Sequence, residues 1–156
     1  MKKKILFVCV HNSARSQMAE SFMKKHAGED FEVYSAGIEP GTLNPIVVKA
    51  MDEKGIDISK NETKSAFDFF KQGKLFNYVV TVCDEASSQK CPIFPGVRER
   101  IMMSFKDPSA FDGAEEEKLE KVRDLRNEIE YEVLKLIDYI ESGNKKENFS
   151  KDWKLG

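Results

Sequence analysis

Cys9, Arg15 and Ser16 are the residues near the start of the sequence whose types and spacing could do chemistry. Five residues, VHNSA, separate the cysteine from the arginine, between an apolar run and a segment with helical spacing. A loop of this length can turn successive backbone N–H groups inward, and such a nest at a helix N-terminus binds a tetrahedral oxyanion. The guanidinium of Arg15 could hold two oxygens of that anion at once.

The same residues predict that Cys9 is a nucleophile. Inward N–H groups, the helix dipole and the charge of Arg15 all favour the thiolate, and Ser16 can donate a hydrogen bond to the sulfur. The alternative is a buried core cysteine followed by a surface arginine, because free cysteines are often buried. That alternative explains neither the Arg-Ser pair nor its position between strand and helix, so we favour the anion-binding loop.

A thiolate that attacks an oxyanion needs an acid to protonate the departing oxygen. The segment KDPSAFDG, residues 106–113, follows the last predicted strand, and Pro108 restricts the backbone of Asp107. We therefore predict Asp107 as the general acid and keep Asp112 as a second candidate. Taken alone, the segment would indicate only an Asp-Pro turn.

Strands and helices alternate along the sequence. Apolar or alternating segments predict strands at residues 4–10, 31–37, 77–83 and 98–105. Helical spacing predicts helices after Arg15, over 43–55 with Asn44 as N-cap, and over 114–142. This order indicates a parallel sheet covered on both faces, with ligands beyond the carboxyl ends of its strands. Cys9 and Cys83 each end a predicted strand, so we expect them at the same edge of the sheet.

Composition limits the remaining possibilities. The 156 residues indicate one α/β catalytic domain over 1–143 and a polar tail over 144–156, which Phe149 and Trp153 could anchor. A net charge of −2 and the lack of a bilayer-length apolar run predict no nucleic-acid or membrane partner. The opening MKKKILFVCV has no small-residue cleavage site after it, so we expect a cytoplasmic protein. Three cysteines without a CxxC pair, and two histidines, argue against a structural zinc site.

VCVHNSARS near the start and DP before the last helix resemble the low-molecular-weight protein tyrosine phosphatases. The resemblance implies a four-stranded parallel sheet with helices on both faces. It also implies Cys9 as nucleophile, Ser16 as its thiolate partner, Asp107 as acid and Arg15 as oxyanion clamp. The implied oxyanion loop consists of Val10, His11, Asn12, Ser13, Ala14 and Arg15.

Other residues depart from the phosphatase pattern. Gln17 stands where those enzymes typically carry a proline, and Ser109 and Ala110 replace the aromatic residues that line a phenol pocket. The segment VVTVCDEASSQKCPIFPG, together with CVHNSARSQMAE and YSAGIEPGTLNP, resembles the thioredoxin-coupled arsenate reductases. That resemblance implies arsenate as substrate, with phosphate and sulfate as analogues, no cofactor, and thioredoxin or a similar dithiol protein as partner.

The resemblance also implies a relay of three thiols. Cys9 attacks arsenic, Cys83 attacks the Cys9 adduct and releases arsenite, and Cys91 then resolves the Cys9–Cys83 disulfide by thiolate exchange. A disulfide requires Cα atoms within about 7 Å, whereas eight residues of helix span about 12 Å. The segment between Cys83 and Cys91 must therefore be irregular or must unwind when it is oxidised.

Several possibilities stay open at this point. A phosphotyrosine or small-phosphoester phosphatase and a non-enzymatic oxyanion- or arsenite-binding module are the alternatives to the reductase. The electron donor could be thioredoxin or glutaredoxin, and we expect a monomer. Asn12 and Ser35, with Glu20, resemble part of a potassium site, but no acidic partner is evident around NETKS, residues 61–65. We expect His11 to point outward and His26 to lie on a helix surface, both without a role.

Overall fold

A five-stranded sheet organises residues 2–156, the part of the chain that the computed structural model describes. The strands are β1 (Lys3–Cys9), β2 (Phe31–Gly37), β3 (Tyr78–Thr81), β4 (Glu99–Met102) and β5 (Lys154–Leu155), in the spatial order β2-β1-β3-β4-β5. The first four strands are parallel, as the alternating pattern predicts, and β5 pairs antiparallel with β4. The expected count of four strands is one short, because β5 has two residues and forms only through its pairing with β4.

Five α-helices connect or cover these strands: α1 (Arg15–Ala27), α2 (Pro45–Asp52), α3 (Ala66–Lys71), α4 (Glu85–Ser88) and α5 (Glu115–Glu141). The side chain of Asn44 caps α2 by accepting hydrogen bonds from the N–H groups of Ile46 and Val47, and Pro45 occupies the first turn. The predicted bounds of α2 and α5 agree with the structure within a few residues. The pattern did not predict α3 or α4.

Two hydrophobic clusters lie on opposite faces of the sheet. Alternate residues of β1, Ile5 and Phe7, point into a large cluster shared with α1, α2 and α5. Leu6 and Val8 point the other way, into a smaller cluster that includes Ala66 of α3. Helices therefore cover both faces, but one face carries most of the core. None of the helices within residues 2–156 is long and apolar enough to cross a bilayer.

The segment after α5 packs against the domain. Trp153 is 4% exposed, and its indole N–H donates to Glu132 at 2.8 Å. The rings of Tyr139, Phe149 and Trp153 contact one another edge-to-face at centroid distances of 5.2–6.2 Å. These contacts bring β5 to the edge of the sheet. The boundary at residue 143 stays a prediction about which part folds independently.

Candidate active site

The loop after β1 turns at the carboxyl end of the sheet, between Cys9 and the first residue of α1. Four of its backbone carbonyls accept hydrogen bonds at 2.7–3.0 Å from the segment that follows β2; the pairs are Cys9 with Ile38, Val10 with Glu39, His11 with Gly41, and Ser13 with Asn44. In a planar trans peptide the N–H points opposite to the carbonyl. Because these hydrogen bonds hold the carbonyls pointing outward, the next N–H groups along the chain point toward the inside of the loop, where an oxyanion would bind. These are the N–H groups of Val10, His11, Asn12 and Ala14.

Gly37, the last residue of β2, packs directly against this loop. A Cβ atom at position 37 would lie 2.8 Å from the nitrogen of Asn12 and 2.9 Å from the carbonyl oxygen of Val10. Real Cβ atoms do not come so close to backbone atoms, so only glycine allows β2 and the loop to approach in this way.

Asn12 fixes the shape of the loop from within. Its φ of 54° lies in the left-handed region, which asparagine tolerates better than most residues. The side-chain amide of Asn12 is fully buried and donates to the hydroxyls of Ser16 (2.8 Å) and Ser35 (3.0 Å). Its carbonyl oxygen accepts from the backbone N–H of Lys64 at 2.9 Å and from Gln17 at 3.2 Å. All four hydrogen-bonding positions of this amide are thus used.

The Cys9 sulfur lies in a polar pocket. It is 2.8 Å from the Ser16 hydroxyl, and the backbone N–H of Asn12 donates to it at 3.1 Å. Because the Asn12 amide already donates to the Ser16 oxygen, the hydroxyl proton of Ser16 is left to point at the sulfur. Two hydrogen-bond donors therefore converge on the Cys9 sulfur.

Arg15 and Asp107 meet at the mouth of the loop. Arg15 is 5% exposed, donates to the carbonyl oxygen of Phe105 at 3.3 Å, and lies 3.7 Å from the Asp107 carboxylate. Partial burial alone would raise the pKa of Asp107, but hydrogen bonds from Ser109 and the charge of Arg15 outweigh it and lower that pKa. Asp112, the second candidate acid, is exposed, and its backbone oxygen accepts from Lys121.

Cys83 lies on the same side of the sheet as Cys9. Both side chains belong to the larger core cluster, and Cys83 is 2% exposed. Burial raises the pKa of the Cys83 thiol to about 12, although the nearby charge of Arg15 acts in the opposite direction. The structure therefore brings Cys9, Arg15 and Cys83 into one neighbourhood.

Cys91 lies on the other side of the sheet. It is 4% exposed and belongs to the smaller core cluster, with Leu6, Val79 and Phe94. Burial raises the pKa of its thiol to about 11. All three cysteines are free. The structure does not bring Cys91 to the other two, and α4, a single helical turn, lies between Cys83 and Cys91.

The residues of the suggested potassium site are engaged with one another and with lysines. The Glu20 carboxylate is 7% exposed, accepts from Ser35 at 2.6 Å, and pairs with Lys24 at 2.9 Å and Lys64 at 4.0 Å. Asn12 reaches Ser35 through its amide nitrogen rather than its oxygen. Among residues 2–156, no cluster of three or more His, Cys, Asp or Glu side chains could hold a metal ion.

Two histidines that the sequence analysis named, and one lysine that it did not, lie near this site or on α1. His11 is exposed, and its Nδ1 lies 2.8 Å from the backbone oxygen of Glu39. His26 bridges α1 to α5 by contacting Glu130 at 2.7 Å. Lys64, which the sequence reasoning missed, supports the loop through its backbone N–H and lies near Glu20 through its ammonium. A backbone contact of this kind leaves no signal in the residue type.

Comparisons with known proteins agree with this geometry. The model of the low molecular weight phosphotyrosine protein phosphatase family matches residues 4–147. An arsenate reductase of Bacillus licheniformis is 46% identical over 130 residues, which cover 82% of this chain and 90% of that protein.

Two solved structures have the same fold. One, described as an arsenate reductase in oxidized state, aligns with a TM-score of 0.70 and 28% identity over 88% of this chain and 98% of its own. A thioredoxin-dependent arsenate reductase of Corynebacterium glutamicum aligns with a TM-score of 0.57 and 27% identity over 85% of this chain and 62% of its own. The chain belongs to the low molecular weight phosphotyrosine protein phosphatase family, among its arsenate reductase members.

Proposed function

We propose that this protein reduces arsenate to arsenite through Cys9, Cys83 and Cys91. The observation that carries the proposal is the shared environment of Cys9 and Cys83. A phosphatase needs one thiol in the oxyanion loop, whereas here a second thiol lies in the same core cluster, within the field of Arg15. Two thiols at one oxyanion site can supply two electrons to the bound anion, which hydrolysis does not require.

The first step forms a sulfur–arsenic bond. Arsenate binds to the inward N–H groups and Arg15, and the Cys9 thiolate attacks arsenic while one arsenate oxygen leaves as water. Asp107 supplies the proton for that oxygen. Hydrogen bonds from Ser109 and the charge of Arg15 lower the pKa of Asp107 before the anion binds. When the guanidinium turns to the anion, the added negative charge favours the protonated carboxyl that the step requires.

The second step transfers the electrons. The Cys83 sulfur attacks the Cys9 sulfur, the sulfur–arsenic bond breaks, and its electron pair stays on arsenic, which leaves as arsenite. A Cys9–Cys83 disulfide remains, so arsenic gains two electrons and the two thiols lose two. The raised pKa of Cys83 keeps this thiol protonated while arsenate binds, so its proton passes to an oxygen of the adduct as the sulfur attacks, and that proton leaves with arsenite. That protonation protects Cys83 from reacting before arsenate is bound.

The third step resolves this disulfide. Cys91 attacks Cys83, restores Cys9 and leaves a Cys83–Cys91 disulfide for a reductant to open. The attack requires Cys91 to leave its pocket and pass the end of β3, since the two sulfurs lie on opposite faces of the sheet. The α4 segment is short enough to unwind, since it is a single helical turn whose N-terminus is capped by the Asp84 side chain. We place the reaction in the cytoplasm, with thioredoxin as reductant and the protein as a monomer.

Hydrolysis of phosphomonoesters is the second candidate function. It uses only Cys9, Arg15 and Asp107, and a cavity of about 610 Å³ adjoins Asp107 beside Ala110 and Phe111. The cavity could accept an organic leaving group. It lacks the aromatic pair expected after the Asp-Pro dipeptide, so we expect slow turnover of aryl phosphates.

A coupled assay tests the proposed function. Oxidation of NADPH is measured with arsenate in the presence of thioredoxin and its reductase, and separately with a glutaredoxin system. We expect arsenate-dependent NADPH oxidation with thioredoxin, and aryl phosphate hydrolysis at a far lower kcat/KM. If neither donor supports arsenate reduction and aryl phosphates are hydrolysed rapidly, the protein is a phosphatase rather than an arsenate reductase.

A further inference from the structure

Three exposed apolar side chains, two on α3 and one two residues after Cys91, have no part in the chemistry described above. Phe67 and Phe70, one helical turn apart on α3, are 41% and 44% exposed, and Ile93 is 74% exposed. We call these three residues the α3 surface. An apolar patch of several exposed side chains, unlike a single one, can mark an interaction site.

Phe70 and Ile93 connect the α3 surface to the pocket of Cys91. The ring of Phe70 packs edge-on against that of Phe94 at 5.9 Å, and Phe94 belongs to the same core cluster as Cys91. Ile93 lines a cavity of about 230 Å³ together with Cys91. A protein that covered the α3 surface would therefore border the place from which Cys91 must emerge.

Burial explains why the reductant needs a docking surface at all. Cys83 and Cys91 are 2% and 4% exposed, so a thiolate from outside reaches their disulfide only when the α4 segment moves. Thiol exchange also demands that the attacking sulfur approach one sulfur of the disulfide closely. A partner bound next to the moving segment would hold its own thiolate in place for that attack.

We propose that the α3 surface is the docking site of the dithiol protein that reduces the Cys83–Cys91 disulfide, an inference that rests on the proposed function. The partner's thiolate attacks one sulfur and forms a mixed disulfide, which releases the other cysteine as a thiolate. The partner's second thiol then attacks the mixed disulfide. Both cysteines of this chain end reduced, and the partner carries the disulfide and has supplied two electrons. Aromatic side chains at the centre of such a contact typically contribute most of its affinity.

A second exposed pair offers a matched control. Tyr131 and Leu134 are also three residues apart on a helix, and they are 62% and 40% exposed. They lie on α5, which packs on the face of the sheet opposite to Cys91. The ammonium of Lys135 lies 5.2 Å from the centre of the Tyr131 ring. Replacing this pair removes similar apolar area far from the disulfide.

The test uses a disulfide formed without arsenate. In a Cys9→Ser background, a chemical oxidant forms the Cys83–Cys91 disulfide, and its reduction by thioredoxin is followed through NADPH and thioredoxin reductase. We expect the Phe67→Ser/Phe70→Ser variant to raise the KM for thioredoxin at least tenfold, with kcat changed less than twofold. Tyr131→Ser/Leu134→Ser should leave both parameters within twofold, and reduction by dithiothreitol should be the same for all proteins.

The single variant Phe67→Ser is the control for a folding defect in the double variant. The ring of Phe67 stacks on no other ring among the described residues, so this variant should keep its thermal midpoint and still raise the KM several-fold. An unchanged KM in both phenylalanine variants, or an equal loss with dithiothreitol, overturns the docking site. If thioredoxin reduces the Cys83–Cys91 disulfide normally but the unaltered protein does not reduce arsenate, the proposed function is overturned and the docking site is not. Failure of the disulfide to form overturns both.

Discussion

The sulfur of Cys9 lies among polar partners, whereas the sulfur of Cys91 lies among hydrocarbon side chains on the opposite face of the sheet. Two donors at 2.8 and 3.1 Å converge on Cys9, and the loop that carries them is fixed by Gly37 and by the buried amide of Asn12. Among residues 2–156, the one hydrogen bond of the Cys91 sulfur is a weak contact at 3.5 Å with the carbonyl oxygen of Pro92.

The two pockets suit the two tasks that we propose for Cys9 and Cys91. A nucleophile must meet a charged substrate in a fixed geometry, so the Cys9 pocket is built in advance and does not need to move. A resolving thiol must wait unreactive and then travel, so the Cys91 pocket keeps it protonated by burial and holds it with non-directional contacts. Changes on the Cys9 side should therefore affect the first chemical step, and changes on the Cys91 side should affect the later steps or stability.

Replacing single cysteines should have the largest effect. Cys9→Ser and Cys83→Ser should release no arsenite, because either the nucleophile or the electron-transferring thiol is lost. Cys91→Ser should release one arsenite per protein and then stop, with a Cys9–Cys83 disulfide in place. Measuring arsenite per protein with thioredoxin present, and mapping the disulfide by peptide mass, checks this. Repeated turnover by Cys91→Ser contradicts the order of the relay.

Gly37→Ala should damage the loop. The new Cβ would lie 2.8 Å from the Asn12 nitrogen, so β2 and the loop must separate. A displacement of about 1 Å at a catalytic loop lowers kcat/KM by about 100-fold. The control is Gly41→Ala, whose Cβ would meet only the exposed side chain of His11 at 3.3 Å and should change kcat/KM less than threefold. Equal effects of the two substitutions on arsenate reduction would argue against the support that we assign to Gly37.

The elements that the sequence predicted well are those with a long repeating pattern. β1 and β2 alternate or run apolar over seven residues, and the apolar stripe of α5 recurs over 27. α3, α4 and β5 have six, four and two residues, which is too few for a period to be visible.

The candidate site was only partly accessible to sequence reasoning. Cys9, Arg15 and Ser16 are close in the chain, and the structure places Arg15 and Ser16 in the first turn of α1, with the Ser16 hydroxyl at the Cys9 sulfur. The face of the sheet on which Cys91 lies depends on how the segment after Cys83 packs against the cluster that contains Phe94. A local sequence pattern does not predict this packing. The hydrogen bonds by which the Asn12 side chain fixes the loop involve Ser35 and Lys64, which are distant in sequence and could not be predicted from it.

Ser16→Ala should slow the first step without disturbing the later ones. A hydrogen bond to a charged group contributes about 1.5–3 kcal/mol, which corresponds to about 10- to 100-fold in rate. The burst rate of Cys9–arsenate adduct formation at neutral pH measures this loss. Reduction of a preformed Cys83–Cys91 disulfide by thioredoxin is the internal control and should be unchanged. A slower reduction there would mean that Ser16 acts on the fold rather than on the Cys9 sulfur.

The reactivity of the two buried thiols should depend steeply on pH. The pKa values of Cys83 and Cys91, about 12 and about 11, lie above neutral pH, so the thiolate fraction of each rises as pH rises. In the Cys9→Ser variant, alkylation by iodoacetamide should accelerate about tenfold per pH unit between pH 7 and pH 9. Peptide mass analysis assigns the modified cysteine. A rate that levels off near pH 8 would indicate an ordinary thiol and contradict the burial that we describe.

Thr81→Val should have the smallest effect, and it acts on the Cys91 side alone. The Thr81 hydroxyl is buried, lines the same cavity as Cys91, and has no hydrogen-bond partner among the described residues. An unsatisfied buried hydroxyl costs about 1–3 kcal/mol, so the isosteric valine should raise the free energy of unfolding by about 1 kcal/mol.

Urea denaturation of the reduced protein measures that change. Thr81→Ser, which keeps the hydroxyl and loses a methyl group, should instead lower the free energy of unfolding by about 1 kcal/mol. If valine destabilises the protein as much as serine does, the hydroxyl is hydrogen-bonded in the closed state. The Cys91 pocket would then contain a directional hydrogen bond, as the Cys9 pocket does. The two pockets would differ less than we describe.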